Sequence, residues 1–404
     1  MMNRTLNQMA WRNIWRNKTR SLVFMGAALL GFAVALFTLN TMKAIAAQRL
    51  RDAINVQTSD VQVHRKGFVD DHELTYTLPQ ADALITRLRQ TSGVAVVAKR
   101  LVVNGVVTAP DNNLVGEIKG VVPRDENRLS VLGDFLVEGG PLTDDGRSPI
   151  LISRRTADKL HVRLKSKLVI TVKAANGDLA GGVFRVVGIF ATPSTPFDEN
   201  TVLVRYNDLA ALTGVTAPHE LAVKLTNPSQ LAEVKAAINA GMPAGTQLDD
   251  WKVLLPELFA FDGFINMVGI LFTLIISLGL GFSLMNTMNM IVAERTRELG
   301  MLRAIGQSRW SVFRMLIAEC VLMMLIGAIG GVLLGTVFIG LAARYGIRIS
   351  EGLGMLGIRP VMYPTLDPAL LFVILGLATL LTLLISLVPA SRILRLNLAQ
   401  ALKQ

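Results

Sequence analysis

The side chains best suited to acid–base or metal chemistry are few and far apart in this sequence. The four histidines, His64, His72, His161 and His219, lack the close spacing of a zinc site, and His72-Glu73 is not completed by a histidine three residues later. The sequence contains neither a G-x-x-x-x-G-K-S/T phosphate loop nor a G-x-S-x-G nucleophile elbow. We therefore expect no catalytic, cofactor or metal site, and no nucleotide hydrolysis or covalent chemistry by this chain alone.

A charged stretch between two apolar runs offers a different chemistry, that of binding a partner. Residues 294–313 read ERTRELGMLRAIGQSRWSVF. Apolar side chains recur every three residues on one helical face, at Leu299, Leu302 and Ile305. The preceding turn carries charged side chains at positions i, i+3 and i+4, which are Glu294, Arg297 and Glu298. Gly306 can end this helix in a left-handed conformation. Two interpretations stay open: the apolar face fills a groove on a partner, or the leucines enter the lipid interface while the arginines set topology.

The elements around this stretch are those of a membrane protein. Of the 404 residues, 51% are hydrophobic and 18% are charged, and the mean hydropathy is +0.46. Windows without Asp, Glu, Lys or Arg at 21–42, 263–293, 320–343 and 368–391 exceed the roughly 20 residues that a helix needs to cross a bilayer. We predict four spans. The second, at ~1.5 Å per residue, is about 46 Å long and should tilt or project beyond the membrane.

The first apolar run has a rival interpretation as a cleaved signal peptide. Basic residues precede it and Ala44-Ile45-Ala46 follows, as at a cleavage site. Its uncharged core of 22 residues is longer than the ~7–15 residues of a signal h-region. A retained membrane anchor is therefore favoured.

Basic residues flank the four runs asymmetrically. They outnumber acidic residues before the first run, between the second and third, and after the fourth. The positive-inside rule makes these three segments cytoplasmic, so both termini and the charged stretch should face the cytoplasm of an inner-membrane protein. Residues 43–262 contain 25 basic and 25 acidic residues, so the net charge of +11 belongs to the membrane-flanking parts. The basic balance thus indicates topology and not nucleic-acid binding.

Residues 43–262 are long enough to form their own core and have the pattern of an α+β domain. Strands are predicted at 61–64, 95–99, 101–107, 168–172 and 184–190, and helices at 80–90 and 229–240. The order indicates a β-α-β subdomain that is interrupted by an inserted, mainly β subdomain at about 120–215.

The predicted fold is an α-helical membrane protein with four transmembrane helices and an α+β extracytoplasmic domain. Its segments are a cytoplasmic 1–20, a first helix 21–42, the domain 43–262, a second helix 263–293, a cytoplasmic loop 294–314, a third helix 315–344, an external loop 345–367, a fourth helix 368–391 and a cytoplasmic tail 392–404.

Two polar side chains at the start of the third span have ordinary interpretations. Cys320 is the sole cysteine, so the extracytoplasmic domain can have no internal disulfide, and a small buried residue is favoured over a reactive thiol. Glu319 lies about one turn from Arg314, so a paired or snorkelling carboxylate is favoured over a proton relay.

The charged stretch resembles the cytoplasmic loop of the MacB and FtsX class of ABC transporter permeases, which follows the pattern E-R-x-R-E-I/L-G-I/M-L-R/K-A-I/L-G. The amino-terminal W-R-N-x-x-R-N-K-x-R and the carboxy-terminal P-A-S-R, with A-L near the end, are also similar to this class. The matching residues are Glu294, Arg295, Arg297, Glu298, Leu299, Gly300, Leu302, Arg303, Ala304, Ile305 and Gly306.

The resemblance implies a non-enzymatic subunit that pairs with a second copy or a related permease and binds an ABC ATPase dimer through these residues. ATP and Mg would be bound by the ATPase. Nucleotide-driven motion would pass through the first and second spans to the extracytoplasmic domain, which is called mechanotransmission.

Within the class, the sequence is most similar to lipoprotein-releasing permeases of the Lol type, on its length and on LDDW at 248–251 and ELF at 257–259. This resemblance implies that a lipid-anchored substrate enters from the outer leaflet between the first two spans, with a periplasmic carrier or adaptor as a possible partner. The residues expected along that route, each of which can equally be explained by lipid contact or helix packing, are Phe32, Phe37, Phe259, Phe264, Ile265, Met267, Val268 and Leu271.

One departure and two alternatives accompany this interpretation. Some Lol permeases carry a proline-containing hook that engages the carrier, whereas Lys173–Gly182 is predicted to be a short polar loop. The chain could instead be the permease of a tripartite efflux pump for small molecules or peptides, or an FtsX-like transducer that activates a periplasmic cell-wall hydrolase. A membrane enzyme ranks last.

Overall fold

The computed structural model describes residues 11–16, 18–296, 298, 301, 306–348 and 361–394. They form two compact units. The helical unit consists of the described residues up to Ala46, from Asp262 to Arg348 and from Val361 onward. The sheet unit is Ala47–Phe261.

The helices of both units are numbered along the chain. Residues 11–16 are helical as well, and a π-helical turn, Ile54–Thr58, follows the first helix. The helices are α1 (Lys18–Ala53), α2 (Phe68–Asp71), α3 (Ala81–Gln90), α4 (Pro123–Leu129), α5 (Arg154–Leu160), α6 (Thr195–Asn200), α7 (Tyr206–Thr213), α8 (Leu231–Asn239), α9 (Trp251–Leu254), α10 (Pro256–Glu294), α11 (Arg309–Tyr345) and α12 (Pro368–Leu394).

The strands belong to one large sheet and one short pair. The large sheet contains β1 (Val61–Arg65), β2 (Val94–Thr108), β3 (Asn113–Val121), β4 (Leu136–Gly139), β5 (Pro149–Ser153), β6 (Lys167–Lys173), β7 (Leu179–Phe190), β8 (Thr201–Arg205), β9 (Glu220–Leu225) and β10 (Thr246–Asp250). The pair is β11 (Ile347–Arg348) with β12 (Val361–Met362).

Three helices among the described residues are long and apolar enough to cross a membrane: Lys18–Thr58 with 41 residues, α10 with 39 and α11 with 37. The backbone of such helices satisfies its own hydrogen bonds, as hydrocarbon requires. The stretches 21–42, 263–293 and 315–344 lie inside them. The stretch 368–391 lies in α12, some of whose side chains are outside the described residues, so the count of four spans stays a prediction.

A row of glycines on α11 lets this helix approach α1 closely. Gly327, Gly331 and Gly335 follow each other at intervals of four, which puts them on one helical face. A Cβ added at Gly331 would lie 2.6 Å from the Leu29 carbonyl oxygen and 2.6 Å from Phe32 Cβ. Small residues at such spacing are typical of packed membrane helices, where close backbone contact replaces the hydrophobic driving force.

Six strands of the sheet unit close into a barrel. Each pairs with the next in the order β2-β3-β8-β5-β7-β6, and β6 returns to β2. The interior is filled by aliphatic side chains together with Phe184 and Tyr206, among them Leu101, Ile118, Ile152 and Val186. Closure leaves these strands without a free edge.

A second, open layer flanks the barrel. Strands β10, β1 and β9 continue the sheet from β2, and α3 and α8 supply apolar side chains to the core that covers this part. The residues Val94–Arg100 of β2 pair with β9, whereas Gly105–Thr108 pair with β6. Strand β2 therefore belongs to both parts of the sheet unit.

The structure corrects three details of the sequence prediction. The separate strands predicted at 95–99 and 101–107 are one strand, because Arg100 between them is buried and forms an ion pair with Glu126, so the strand continues through it. The barrel includes β3 and part of β2, so it begins before the predicted boundary near 120. The loop predicted at 173–182 is a tighter hairpin, in which Leu179 already pairs with Lys173.

We expect Gly331→Ile to destabilise the helical unit, because its side chain would have to displace the α1 backbone. Overpacking of this kind costs about 1–3 kcal/mol. Gly340→Ile on the same helix is the matched control, since a Cβ added there meets no atom within 4 Å. Thermal unfolding of the full chain in detergent micelles measures both, and equal midpoints for the two variants would contradict close packing of α1 on α11.

Candidate functional site

Two arginine–glutamate pairs join the beginning of α1, and the helical residues before it, to the end of α10. Nη2 of Arg16 donates to both carboxylate oxygens of Glu298 at 2.7 Å, and Arg20 donates from Nη1 and Nη2 to Glu294 at 2.9 and 2.8 Å. The arginines are four residues apart, as are the glutamates, so the pairs form successive rungs between two helical faces. All four side chains remain partly exposed, and solvated pairs of this kind contribute little to stability.

A third pair lies beside them and is shielded from water. Arg295 is 4% exposed, and its Nη1 lies 3.6 Å from Oε2 of Glu319, which is 1% exposed. Nη2 of Arg295 also donates to the carbonyl oxygen of Asn13 at 3.3 Å. Three segments thus meet at one buried guanidinium: the residues before α1, the end of α10 and the first turns of α11.

The partner of Glu319 differs from the one that sequence proximity indicates. The prediction of a paired carboxylate considers Arg314, five residues earlier on the same helix. The pair that the structure shows is with Arg295. The partner of Glu319 is thus supplied by a segment that is distant along the chain and not by a neighbour on the same helix.

The described part of the charged stretch includes four of its predicted binding residues. Glu294, Arg295 and Glu298 make the contacts above, and Gly306 has a φ of 103°, a left-handed value that favours glycine. Ser308 then caps α11 by accepting a hydrogen bond from the Ser311 amide at 3.2 Å. The other predicted residues lie outside the described part: Arg297, Leu299, Gly300, Leu302, Arg303, Ala304 and Ile305.

The residues predicted along the substrate route fall into different environments. Phe32 is 1% exposed and belongs to the core of the helical unit, so it is not on the surface of this chain; Phe37 packs against the same core. Phe259 is exposed and belongs to the sheet unit. The remaining ones all lie on α10, with three exposed and two half-buried side chains: Phe264, Met267 and Leu271, then Ile265 and Val268.

An apolar cavity of about 290 Å³ lies in the helical unit next to these residues. Its wall includes Leu39 from α1, Ile265 and Ile270 from α10, and Val373 from α12. Lys43 is also part of the wall and is paired with Asp367. The cavity therefore combines an apolar surface with one ion pair.

Matches to two family models decide the class. The model described as MacB-like periplasmic core domain matches residues 21–240, and the model described as FtsX-like permease C-terminal matches residues 270–398. The chain belongs to the MacB/FtsX class of ABC transporter permeases. The resemblance inferred from the charged stretch is thereby confirmed.

The relatives of the permease have low sequence identity to it but align over most of its length. It is 23% identical over 405 residues to the lipoprotein-releasing system transmembrane protein LolC of Xylella fastidiosa, which covers 96% of the permease and 95% of LolC. It is 24% identical over 354 residues to the macrolide export ATP-binding/permease protein MacB of Escherichia coli, which covers 81% of the permease and 51% of MacB. The extracellular domain of the ABC-type transporter YknZ from Gram-positive bacteria aligns over 48% of the permease and 100% of that domain, at 16% identity and a TM-score of 0.35.

We expect Arg295→Met to lower the stability of the permease more than Arg16→Met does. The first variant leaves the Glu319 carboxylate buried and unpaired, which costs about 3–5 kcal/mol, whereas the second breaks an exposed pair. Adding Glu319→Met to Arg295→Met should recover most of the loss, because both buried charges are then gone. Thermal unfolding in detergent micelles at fixed salt tests this, and no recovery in the double variant would contradict a direct pair.

Proposed function

We propose that this permease transmits motion from a separate ABC ATPase across the inner membrane, with the charged stretch 294–306 as the ATPase-binding segment. The observation that carries the proposal is the pair of rungs formed by Arg16, Arg20, Glu294 and Glu298. Because the predicted binding segment follows directly on α10 and α10 is tied to the beginning of α1, a force on that segment acts on both helices.

The lengths of the two helices suit this role. Helix α1 has 36 residues and α10 has 39, which at ~1.5 Å per residue corresponds to about 54 and 58 Å. A hydrocarbon core of ~30 Å accommodates only part of either helix. Continuous helices of this length can pass a displacement along their axes without a pore.

The partners follow from the same proposal. An ATPase dimer would bind ATP and Mg, a second copy or a related permease would complete the membrane part, and both termini would face the cytoplasm. The positive-inside pattern of the sequence supports that topology. MacB, whose name includes both ATP-binding and permease functions, is matched over 51% of its own length.

For the cargo we favour a lipoprotein or another lipid-anchored molecule taken from the outer leaflet. The LolC relative aligns over nearly its whole length, which supports this choice over efflux. The exposed Phe264, Met267 and Leu271 of α10 and the apolar cavity beside Ile265 would contact acyl chains. Export of small molecules through a tripartite pump is the second candidate, supported by the MacB relative.

We expect Glu294→Arg to uncouple ATP turnover from motion of the sheet unit, because it replaces the rung to Arg20 with a repulsion. The second change Arg20→Glu should restore coupling, since the swapped pair has the same geometry. The measurement is hydrogen exchange of residues 47–261 in the ATPase complex in nanodiscs, with and without ATP and Mg. We expect the nucleotide-dependent change to fall at least fivefold in the single variant.

Two comparisons control this experiment. Arg12→Glu reverses the charge of an exposed arginine in the same amino-terminal segment and should leave coupling intact. If the swap does not restore coupling although the ATPase still binds, Glu294 acts on the ATPase and not through Arg20, and the proposed role of the rungs is wrong.

The cargo is tested separately by copurification from native membranes. A lipoprotein bound to the ATP-free complex supports lipoprotein release. An adaptor with an outer-membrane channel supports efflux instead, and a cell-wall hydrolase supports transduction.

A further inference from the structure

Arg100, in the middle of β2, is fully buried and makes four hydrogen bonds. Nε donates to Glu126 Oε2 at 3.0 Å and Nη2 to Glu126 Oε1 at 2.6 Å, which is a bidentate pair. Nη1 donates to Glu220 Oε1 at 3.2 Å. The fourth acceptor is a backbone group, the carbonyl oxygen of Gln57, at 2.8 Å from Nη1.

Gln57 belongs to the π-helical turn in which α1 ends. Ordinary helices are closed by i→i+4 bonds, whereas this turn has the wider i→i+5 spacing of the π-turns that occur at helix C-termini. The turn stops at Ser59, whose φ of 66° is unusual for a residue with a side chain, and whose amide donates to the Ile54 carbonyl at 2.6 Å. The carbonyl that Arg100 binds is thus held in a conformation that a regular helix does not present.

Further hydrogen bonds attach the same end of the helix to other segments of the sheet unit. Nε2 of Gln57 donates to Oγ of Ser194 at 2.7 Å, in the segment that follows β7. The Asp60 carboxylate accepts from the Leu225 amide of β9 at 2.7 Å. The contacts of Gln57 Nε2 and Asp60 involve side chains, whereas Arg100 binds a backbone carbonyl of the turn, as Gln62 Nε2 does at Thr58 at 3.1 Å.

The two glutamates belong to different elements of the sheet unit. Glu220 begins β9, and Glu126 lies on α4, which follows β3 and packs through Leu129 against Ala98 of β2 and Ala222 of β9. Arg100 itself is on the strand that the two parts share. One guanidinium therefore contacts the helix end, the open layer and the segment that follows β3.

The charges of this cluster do not balance within it. One guanidinium faces two carboxylates, both less than 10% exposed. The carboxylates raise the pKa of Arg100 above its ordinary value although burial alone lowers it. Buried ion clusters contribute little net stability compared with an apolar core, whereas their hydrogen bonds fix the relative positions of the groups that they join.

We propose that Arg100 is a positioning residue that transmits displacement of α1 to α4 and β9 of the sheet unit, through the Gln57 carbonyl on one side and Glu126 and Glu220 on the other. The inference rests on the proposed function, since it concerns where the transmitted motion arrives. A shift of the helix end must move the guanidinium or break its hydrogen bond to Gln57. The bidentate pair with Glu126 prevents Arg100 from rotating freely.

The test uses the full permease with its ATPase in nanodiscs and measures hydrogen exchange with and without ATP, Mg and vanadate. Arg100→Lys keeps a positive charge beside the glutamates but cannot form the bidentate pair and the Gln57 bond together. We expect the nucleotide-dependent change in β2, α4 and β9 to fall at least fivefold, while the change in residues 47–58 and the ATP turnover remain. Gln57→Ala is the matched control, because it removes the bond to Ser194 and keeps the carbonyl; its response should equal that of the native permease.

If Arg100→Lys does not fold, which would be seen as fast exchange throughout the barrel without nucleotide, the variant Glu126→Met tests the proposal instead. That variant keeps one cation and one anion, Arg100 and Glu220, so the remaining charges are balanced. We expect it to lose the nucleotide response in α4 and to keep it in β9.

Three results would overturn the inference. If Arg100→Lys shows the same nucleotide-dependent exchange as the native permease, Arg100 has no positioning role and the proposed function stands. The same conclusion follows from Glu126→Met if Arg100→Lys does not fold. If Gln57→Ala loses the response as completely as Arg100→Lys, the side-chain bond to Ser194 transmits the motion. If the native sheet unit shows no nucleotide response, the proposed function fails and the inference fails with it.

Discussion

A guanidinium group that is shielded from water must have its hydrogen bonds satisfied by protein atoms, because leaving it unpaired costs several kcal/mol. In the described part of the chain, all three nitrogens of the Arg100 guanidinium donate hydrogen bonds, whereas Arg295 meets the requirement only in part, because its Nε has no hydrogen-bond partner. Arg295 in the helical unit contacts Glu319 and the Asn13 carbonyl, and Arg100 in the sheet unit contacts two glutamates and the Gln57 carbonyl. In each case the acceptors come from separate segments, and one is a backbone carbonyl next to an end of α1. The constraint on a buried charge thereby becomes a constraint on where a long helix begins and ends.

Side-chain size governs how α1 packs against α11. The bilayer offers no hydrophobic gain for pressing helices together, so α1 and α11 associate through glycines that bring the backbones within van der Waals contact. Close backbone contact also resists sliding, because any shift would push a Cβ of one helix into the other. The exposed rungs at the beginning of α1 are different. They are weak, screened by salt and easily exchanged, which suits a surface where a partner binds and leaves.

Local features were predictable from the sequence and distant pairings were not. Uncharged runs of more than 20 residues predict long helices because crossing the bilayer depends on composition alone. The strand break expected at Arg100 is wrong because the partners that allow this charge to be buried within a strand, Glu126 and Glu220, are 26 and 120 residues away in the sequence. The partners of Glu294 and Glu298 are more distant still. The interval of four between Gly327, Gly331 and Gly335 was a usable signal for helix packing, and it also explains why Phe32 is buried there.

The two kinds of ion pair suggest how one chain can be both rigid and switchable. A rigid element must not absorb displacement, which favours buried, multiply bonded groups such as Arg100, whose rearrangement would expose an unpaired charge. A switchable contact must be made and broken at little cost, which favours solvated pairs such as Arg16 with Glu298. The solvated pairs lie at the segment predicted to bind the ATPase, next to the buried Arg295–Glu319 pair, and the Arg100 cluster lies at the helix end in the sheet unit. Under the proposed function, motion would start at the solvated pairs and arrive at the Arg100 cluster.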